Sequence, residues 1–356
     1  MKILFGIHGT THTEIAQSEI NEFQKLGIQT DVCTYGNWGT ASGMLGSFKL
    51  VIKNAQELKR RAAIQQSDIV YLNTGLDFKT LVRDSITIYI LKRFSKKIKI
   101  VLKIHGSQSA FVFSKKNILK NYVFKNASQL LVLSKEERNN FLSIGLPENK
   151  VQVTANVIDK NIYKADPDFK VKAGITSGTT VLLFVGRFMA EKGILDLVEA
   201  CKLLKEKQQN FKLYCLGNGP LFSEVVQKVV SYGLNENVEL KGHITEAEAA
   251  YYYSNCDVLI LPTYHEEGFP MAVFQAVGAG KPVITAKIRG AADYMTEYEN
   301  CLWVEAKNPQ QLYSQITNLA NDKPLQEKMK YKNLLLADKF TAKKIVEKLL
   351  EYFKLI

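Results

Sequence analysis

Short apolar segments of strand character alternate with helical ones along nearly all of the 356 residues, which restricts the chain to parallel sheets with helical crossovers. In the first half, Lys2–Ile7, Ile28–Cys33, Ile69–Leu72, Ile98–Ile104 and Gln129–Leu133 read as strands. Their unbroken Val/Ile/Leu character fits strands covered on both faces. A helix is predicted from Thr13: Thr11 and Glu14 have capping-box spacing, Ala16, Ile20 and Phe23 share a face, and Gly27 ends it. The pattern lapses into polar residues and a proline around Asn156–Pro167, then restarts. Thr180–Val185, Lys212–Leu216, Val238–Lys241, Val258–Leu261, Pro282–Thr285 and Leu302–Val304 are the strands of the second half. Helical segments near Pro309–Ala320, Pro324–Ala337 and Thr341–Leu355 close the chain. The length favours two domains over one oversized core. The expected architecture is α/β, two doubly wound domains facing each other across a cleft, with ligands at the C-terminal edges of the strands. The expected division is a first domain over 1–160, a linker over 161–178, a second domain over 179–338 and a C-terminal helix over 339–356.

Composition narrows the class. With 46% hydrophobic and 23% charged residues the chain reads as globular. No apolar run approaches the roughly 20 residues that a bilayer-spanning helix needs. Met1–Ile7 runs straight from a short strand into a turn, unlike a secretory leader, so a cytoplasmic location is expected. Cys33, Cys201, Cys215, Cys256 and Cys301 are scattered and lack Cys-x-x-Cys spacing, which favours buried thiols over disulfides or zinc. The net charge of +12 is unevenly placed. Residues 1–164 hold 24 Lys and Arg against 12 Asp and Glu, whereas 165–356 hold 23 of each. The first half is therefore expected to face something anionic.

Two segments carry the chemistry. In Val185-Gly186-Arg187-Phe188-Met189-Ala190-Glu191-Lys192-Gly193, a strand ends in a glycine turn and two cations precede a helix. Arg187 can fork onto two phosphate oxygens, Lys192 offers a compact charge, and the helix terminus adds partial positive charge. The bland alternative is a solvated pair at an ordinary strand–helix turn. In Glu266-Glu267-Gly268-Phe269-Pro270-Met271-Ala272-Val273-Phe274-Gln275, a strand is followed by a helix with Pro270 suited to its first turn. A carboxylate at Glu267 can hold sugar hydroxyls, backbone N–H groups around Phe269 and Met271–Val273 can grip phosphate, and Gln275 can offer donor and acceptor to a ribose diol. Favourable charge at a helix N-terminus is the bland reading of Glu266 and Glu267.

Together with Leu216-Gly217-Asn218-Gly219-Pro220, Gly242-His243-Ile244, the Asp257–Pro262 strand and Gly280-Lys281-Pro282-Val283-Ile284, these segments resemble the family 4 glycosyltransferases, a retaining group with the GT-B fold. The likeness is close over Thr180–Val304 and looser elsewhere. It implies that Arg187 and Lys192 bind a donor diphosphate and that Glu267 meets hydroxyls of the transferred sugar. It also implies that Gly242, His243 and Ile244 lie near the base. Gly186, Asn218, Gly268, Phe269, Pro270, Met271 and Ala272 complete the donor site, and the C-terminal helix returns to the first domain. Where the family usually has a second Glu for the ribose, this chain has Gln275. In the first half, Lys103-Ile104-His105-Gly106 resembles the family's His-Gly, whose His approaches the donor sugar, and His8-Gly9-Thr10-Thr11 retains Gly9 of a Gly-Gly loop.

The resemblance implies no cofactor and no metal, with cationic side chains as the counter-charge of a UDP- or GDP-type donor. Consistently, the sequence has no Asp-x-Asp at a strand end and no cysteine ligand set. It further implies a glycan or lipid-linked acceptor in polysaccharide or cell-envelope synthesis, and same-face attack rather than a covalent glycosyl-enzyme. An epimerase, a catalytically weak nucleotide-sugar binder and a basic nucleic-acid-binding protein are the alternatives. The last rests on charge alone, and nucleic acid is not an expected partner. Between Ser85 and Ser134 there is no acidic residue, but Lys92, Arg93, Lys96, Lys97, Lys99, Lys103, Lys115, Lys116, Lys120 and Lys125 are present. Ile118, Leu119, Tyr122 and Val123 fall at helical spacing beside Lys115, Lys116 and Lys120, after Phe111 and Phe113. A basic amphipathic element lying on the inner face of an anionic membrane is expected there.

Overall fold

The computed structural model describes residues 1–7, 13–36, 43–105 and 117–356, the side chains of 13–15 and 44 excepted. His8, Gly9, Thr10, Thr11, His12, Gly106, Phe111, Phe113, Lys115 and Lys116 lie outside the described residues, as does the capping residue expected at Thr11.

The chain divides into two compact units. One comprises Met1–Val157, Glu267–Phe269 and Ala342–Ile356; the other comprises Ile158–Glu266 and Pro270–Thr341. Each is built on a parallel six-stranded sheet. The first holds β1 (Lys2–Ile7), β2 (Gln29–Thr34), β3 (Ile69–Thr74), β4 (Lys99–Ile104), β5 (Gln129–Val132) and β6 (Val151–Val153) in the order β2-β1-β3-β4-β5-β6. The second holds β7 (Thr180–Val185), β8 (Phe211–Leu216), β9 (Val238–Gly242), β10 (Val258–Leu261), β11 (Val283–Thr285) and β12 (Cys301–Trp303) in the order β12-β11-β10-β7-β8-β9. Both are doubly wound, as the α/β GT-B expectation requires. Strand order reverses between β1 and β3 in one and between β7 and β10 in the other, so a crevice opens at those strand ends. Strand β6 escapes the sequence pattern because Val-Gln-Val is too short to show a period.

In the first unit, Leu4, Val70, Leu72, Ile100, Leu102, Leu130 and Val132 are fully buried in the core. The last helix, Ala342–Phe353, belongs to this unit. Phe353 stacks on Phe23 with ring centroids 6.1 Å apart and meets Tyr71 edge-on. Tyr352 Oη donates to Val153 O at 2.9 Å. The helix thus returns to the first sheet, as expected. Residues 161–178, expected as a linker, pack within the second unit: Phe169 is buried against the rings of Tyr214 and Tyr251.

The lysine-rich stretch is less uniform than its sequence suggests. Lys103 is 1% exposed, with Nζ on Glu19 Oε1 at 2.5 Å, Glu19 equally buried, and Tyr71 Oη donating to the same carboxylate at 3.3 Å. Lys120 is 2% exposed on the helix Ile118–Asn126, which sends Val123 and Phe124 into the core and leaves Ile118 exposed. Burial lowers the pKa of Lys120. Lys103 and Lys120 are therefore not surface charges, which corrects the amphipathic reading: an acid placed 84 residues away in sequence neutralises Lys103.

All five cysteines are free and buried, and burial pushes their thiols up, Cys33 to about 11. Among the described residues no helix is long and apolar enough to cross a membrane.

Candidate active site

The loop after β7 is fixed by close backbone packing. Phe188 is buried between the rings of Phe184 and Phe222, its N–H donating to Asn218 O and its carbonyl accepting from Leu221 N, both at 3.0 Å. A Cβ on Gly217, whose φ is +133°, would come 2.0 Å from Gly186 O, and one on Gly219 would come 2.4 Å from Phe188 O. Gly193, at φ +71°, would place a Cβ 2.4 Å from Pro262 O. Loops after β7, β8 and β10 thus touch main chain to main chain, where only glycine fits. The Glu191 carbonyl adds a further tie, accepting from Tyr264 N at 2.9 Å, His265 N at 3.1 Å and Thr263 Oγ1 at 2.9 Å.

Arg187 and Lys192 ride on this loop at the reversal between β7 and β10. Arg187 is exposed and Lys192 is 9% exposed, in the turn before the helix Ile194–Glu206. At the neighbouring strand ends, Gly217 N donates to Gly242 O at 2.7 Å, which ties the β8 loop to the end of β9. His243 is exposed and Ile244 half-buried there. Thr245 then starts the helix Glu246–Asn255 with a full capping box to Glu248, a spacing the sequence also carries. The helix Met271–Gly278 begins after Pro270. Met271, Ala272 and Gln275 are half-buried, and Gln275 Nε2 donates to Glu246 Oε1 at 3.5 Å, a long contact. Gly186, Arg187, Lys192, Asn218, Gly242, His243 and Ile244 follow the ends of β7, β8 and β9, and Pro270, Met271, Ala272 and Gln275 open the helix that follows β10.

Glu267, Gly268 and Phe269 group with the first unit rather than with the strands that flank them in sequence. A Cβ on Gly268 would lie 2.5 Å from Glu137 Oε2 and 2.9 Å from Leu133 Cβ. Glu137 is fully buried and accepts from Leu133 N at 2.9 Å. Also in the first unit, His105 follows β4. Its N–H donates to Thr74 O at 2.7 Å and its Nε2 lies 2.9 Å from Asn73 Oδ1, so the arrangement that lets Asn73 accept places the ring hydrogen on Nε2. Beneath it Thr74 shares a buried network: Arg83 donates to Asp84 Oδ1 at 2.8 Å and to Thr74 Oγ1 at 2.9 Å, and Tyr35 and Thr74 both donate to Asp84. Burial raises the Tyr35 hydroxyl well above its ordinary range, which keeps it a donor.

Arg289 was not singled out in sequence. It follows β11, is buried at φ +36°, and holds Glu266 through Nη2 to Oε2 at 2.6 Å and Nη1 to the backbone carbonyl at 3.2 Å. Glu266 is therefore part of a loop clamp rather than a helix-dipole charge alone. A lone Arg-Gly after a short strand is too common to have marked it.

Residues 166–334 match the family model described as "Glycosyl transferases group 1". That stretch is similar to group 1 glycosyl transferases. It contains every residue expected at the donor site that follows a strand of the second sheet, from Gly186 to Gln275. An uncharacterised glycosyltransferase of Methanocaldococcus jannaschii is 29% identical over 250 residues, 69% of this chain and 65% of that protein. The N,N'-diacetylbacillosaminyl-diphospho-undecaprenol alpha-1,3-N-acetylgalactosaminyltransferase of Campylobacter jejuni is 26% identical over 59% of this chain and 55% of its own length. The aligned part thus spans between about half and two thirds of these relatives. The crystal structure of Anabaena HepE in complex with UDP and glucose covers 100% of both chains with a TM-score of 0.78 at 20% identity, a likeness of fold.

Proposed function

We propose that this chain is a retaining glycosyltransferase that moves a sugar from a nucleoside diphosphate to a glycan or lipid-linked acceptor in envelope or polysaccharide synthesis. The observation that carries the reading is the presentation of Arg187 and Lys192 at the β7/β10 reversal by glycine-only contacts. As the bond between sugar C1 and the β-phosphate oxygen breaks, charge gathers on the diphosphate. Two prepositioned cations and the adjacent helix N-terminus stabilise it without reorganising. They supply the counter-charge in place of a divalent ion. Gly242, His243 and Ile244 flank the base, Gln275 meets the ribose, and Met271 and Ala272 offer first-turn N–H groups to phosphate. Glu267 holds the sugar hydroxyls, and His105, oriented by Asn73, approaches the sugar. The acceptor oxygen attacks from the face the diphosphate leaves, and its proton passes to the departing phosphate oxygen.

UDP is the first donor base to try, since HepE was crystallised with UDP, with GDP second. The Campylobacter relative's name specifies a diphospho-undecaprenol acceptor, which supports a lipid-linked acceptor here. An anionic membrane surface at the cytoplasmic face is the matching location for the basic first unit. A thermal-shift panel of nucleotide sugars tests the donor assignment, because a ligand that binds the native state raises Tm. One donor should raise Tm in the native chain and fail to do so in Arg187→Ala. A panel without any response overturns the reading. Membrane association predicts sedimentation with anionic vesicles at low salt and release as salt rises.

A further inference from the structure

Beside the N-terminal ends of β5 and β6, the opposite end of the first sheet from His105, the molecule carries a cavity of about 440 Å³. Lys120, Asn121, Lys125, Gly145, Pro147 and Lys150 are among its lining residues, and among the described residues no carboxylate lines it. The wall is held by its own cations: Lys150 Nζ donates to Lys125 O at 3.2 Å, and nearby Lys92 Nζ donates to Ile98 O at 2.9 Å. These bonds use one of each ammonium's three hydrogens on a neutral acceptor. The carboxylates that flank this edge in sequence are engaged elsewhere. Glu148 faces Arg138 at 3.4 Å, and Asp68 takes the Lys2 N–H at 2.9 Å with the Met1 amino group 4.0 Å away. Burial, with Lys99 next, lowers the pKa of Lys92; burial, with Lys92 next, lowers that of Lys150. Burial is the larger cause for both, and the neighbouring ammonium group adds to it.

We infer that this cavity is a binding site for a phosphate group, a pyrophosphate or phosphomonoester, separate from the donor site. Several ammonium groups around a concave, partly apolar wall suit a compact, multiply charged anion, with the Asn121 amide and the main chain at Gly145 as neutral donors. The phosphate can come from a soluble compound or from a lipid headgroup.

Site-resolved lysine acylation read by mass spectrometry distinguishes these sources. The full chain is labelled with inorganic pyrophosphate, with phosphatidylcholine vesicles carrying phosphatidic acid, or with chloride at matched ionic strength. Pyrophosphate should slow acylation of Lys125 and Lys150, and do so equally in Arg187→Ala, whose donor site is disabled. Lys150→Gln should weaken the pyrophosphate dependence at Lys125 roughly fivefold, as for loss of one charge-assisted bond at a partly exposed site. Protection only by phosphatidic acid vesicles assigns the phosphate to a lipid. Protection by chloride to the same extent, or by neither phosphate source, overturns the proposal. Protection that vanishes in Arg187→Ala also overturns it, because the effect would then arise at the donor site.

Discussion

The two units share an architecture but hold their charges in opposite ways. In the second, Lys and Arg equal Asp and Glu in number, 21 of each over residues 158–266 and 270–341, and the informative pair, Arg187 and Lys192, sits on a loop held by backbone contacts. In the first, a large cationic excess is divided between the surface and the interior, where Lys103 meets Glu19 and Arg83 meets Asp84. Fixing a loop by glycine packing leaves Arg187 exposed at the strand ends. Fixing a charge with a buried counter-ion makes it part of the fold.

The sharpest break of this comparison is Lys103→Met. It leaves Glu19 buried without its cation, and should destabilise the chain by roughly 3–5 kcal/mol. Adding Glu19→Leu should return most of that loss in chemical denaturation, because the pair carries its desolvation cost together. If the single change is as mild as a surface lysine substitution, Lys103 is not buried and the division fails.

Arg187→Ala or Lys192→Ala should instead spare stability and cost about 2–4 kcal/mol in kcat/KM for transfer. Wild-type rates in both variants would remove the diphosphate assignment. His105→Ala should cost about 1–2 kcal/mol in turnover with little effect on nucleoside diphosphate affinity, since the proposed contact is with the sugar. An equal loss of both would make His105 a brace for the Asn73–Thr74 strand end.

What was legible in the sequence follows the same division. Parallel strands such as Thr180–Val185 and Val258–Leu261 are buried on both faces, so their apolar runs mark them. Gly193, Gly217 and Gly219 are legible because close main-chain approach allows nothing larger, and their spacing transmits the loop geometry directly. The grouping of Glu267–Phe269 with the first unit was not legible, because Gly268 meets Leu133 and Glu137, partners more than 100 residues away. Nor were the burial of Lys103 and Lys120 and the clamp of Arg289 on Glu266. A lysine run reads the same whether its members face water or a distant acid.

Gln275 offers the smallest and most discriminating test, because it joins the two devices in one place. Its amide donates to Glu246 at 3.5 Å, so a carboxylate already stands beside the proposed ribose position, contributed by a different helix. Gln275→Ala should weaken the free nucleoside diphosphate and the full donor alike, by about 1 kcal/mol for one lost hydrogen bond. Gln275→Glu restores the residue the family usually has, but sets two carboxylates side by side. The pair cannot ionise freely, so one of them should hold its proton above the usual carboxylate range of about 4.3. The sign follows from linkage: a carboxyl raised in the folded state favours folding less as pH climbs from the unfolded value through the folded one. Relative to the native chain, Gln275→Glu should therefore lose Tm between about pH 4 and pH 7. The double variant Gln275→Glu/Glu246→Gln should be flat across that window and bind donor at least as well as the native chain. A single variant whose Tm difference does not change with pH would place the two side chains too far apart to interact, and the ribose contact would then have to come from another segment at this strand edge.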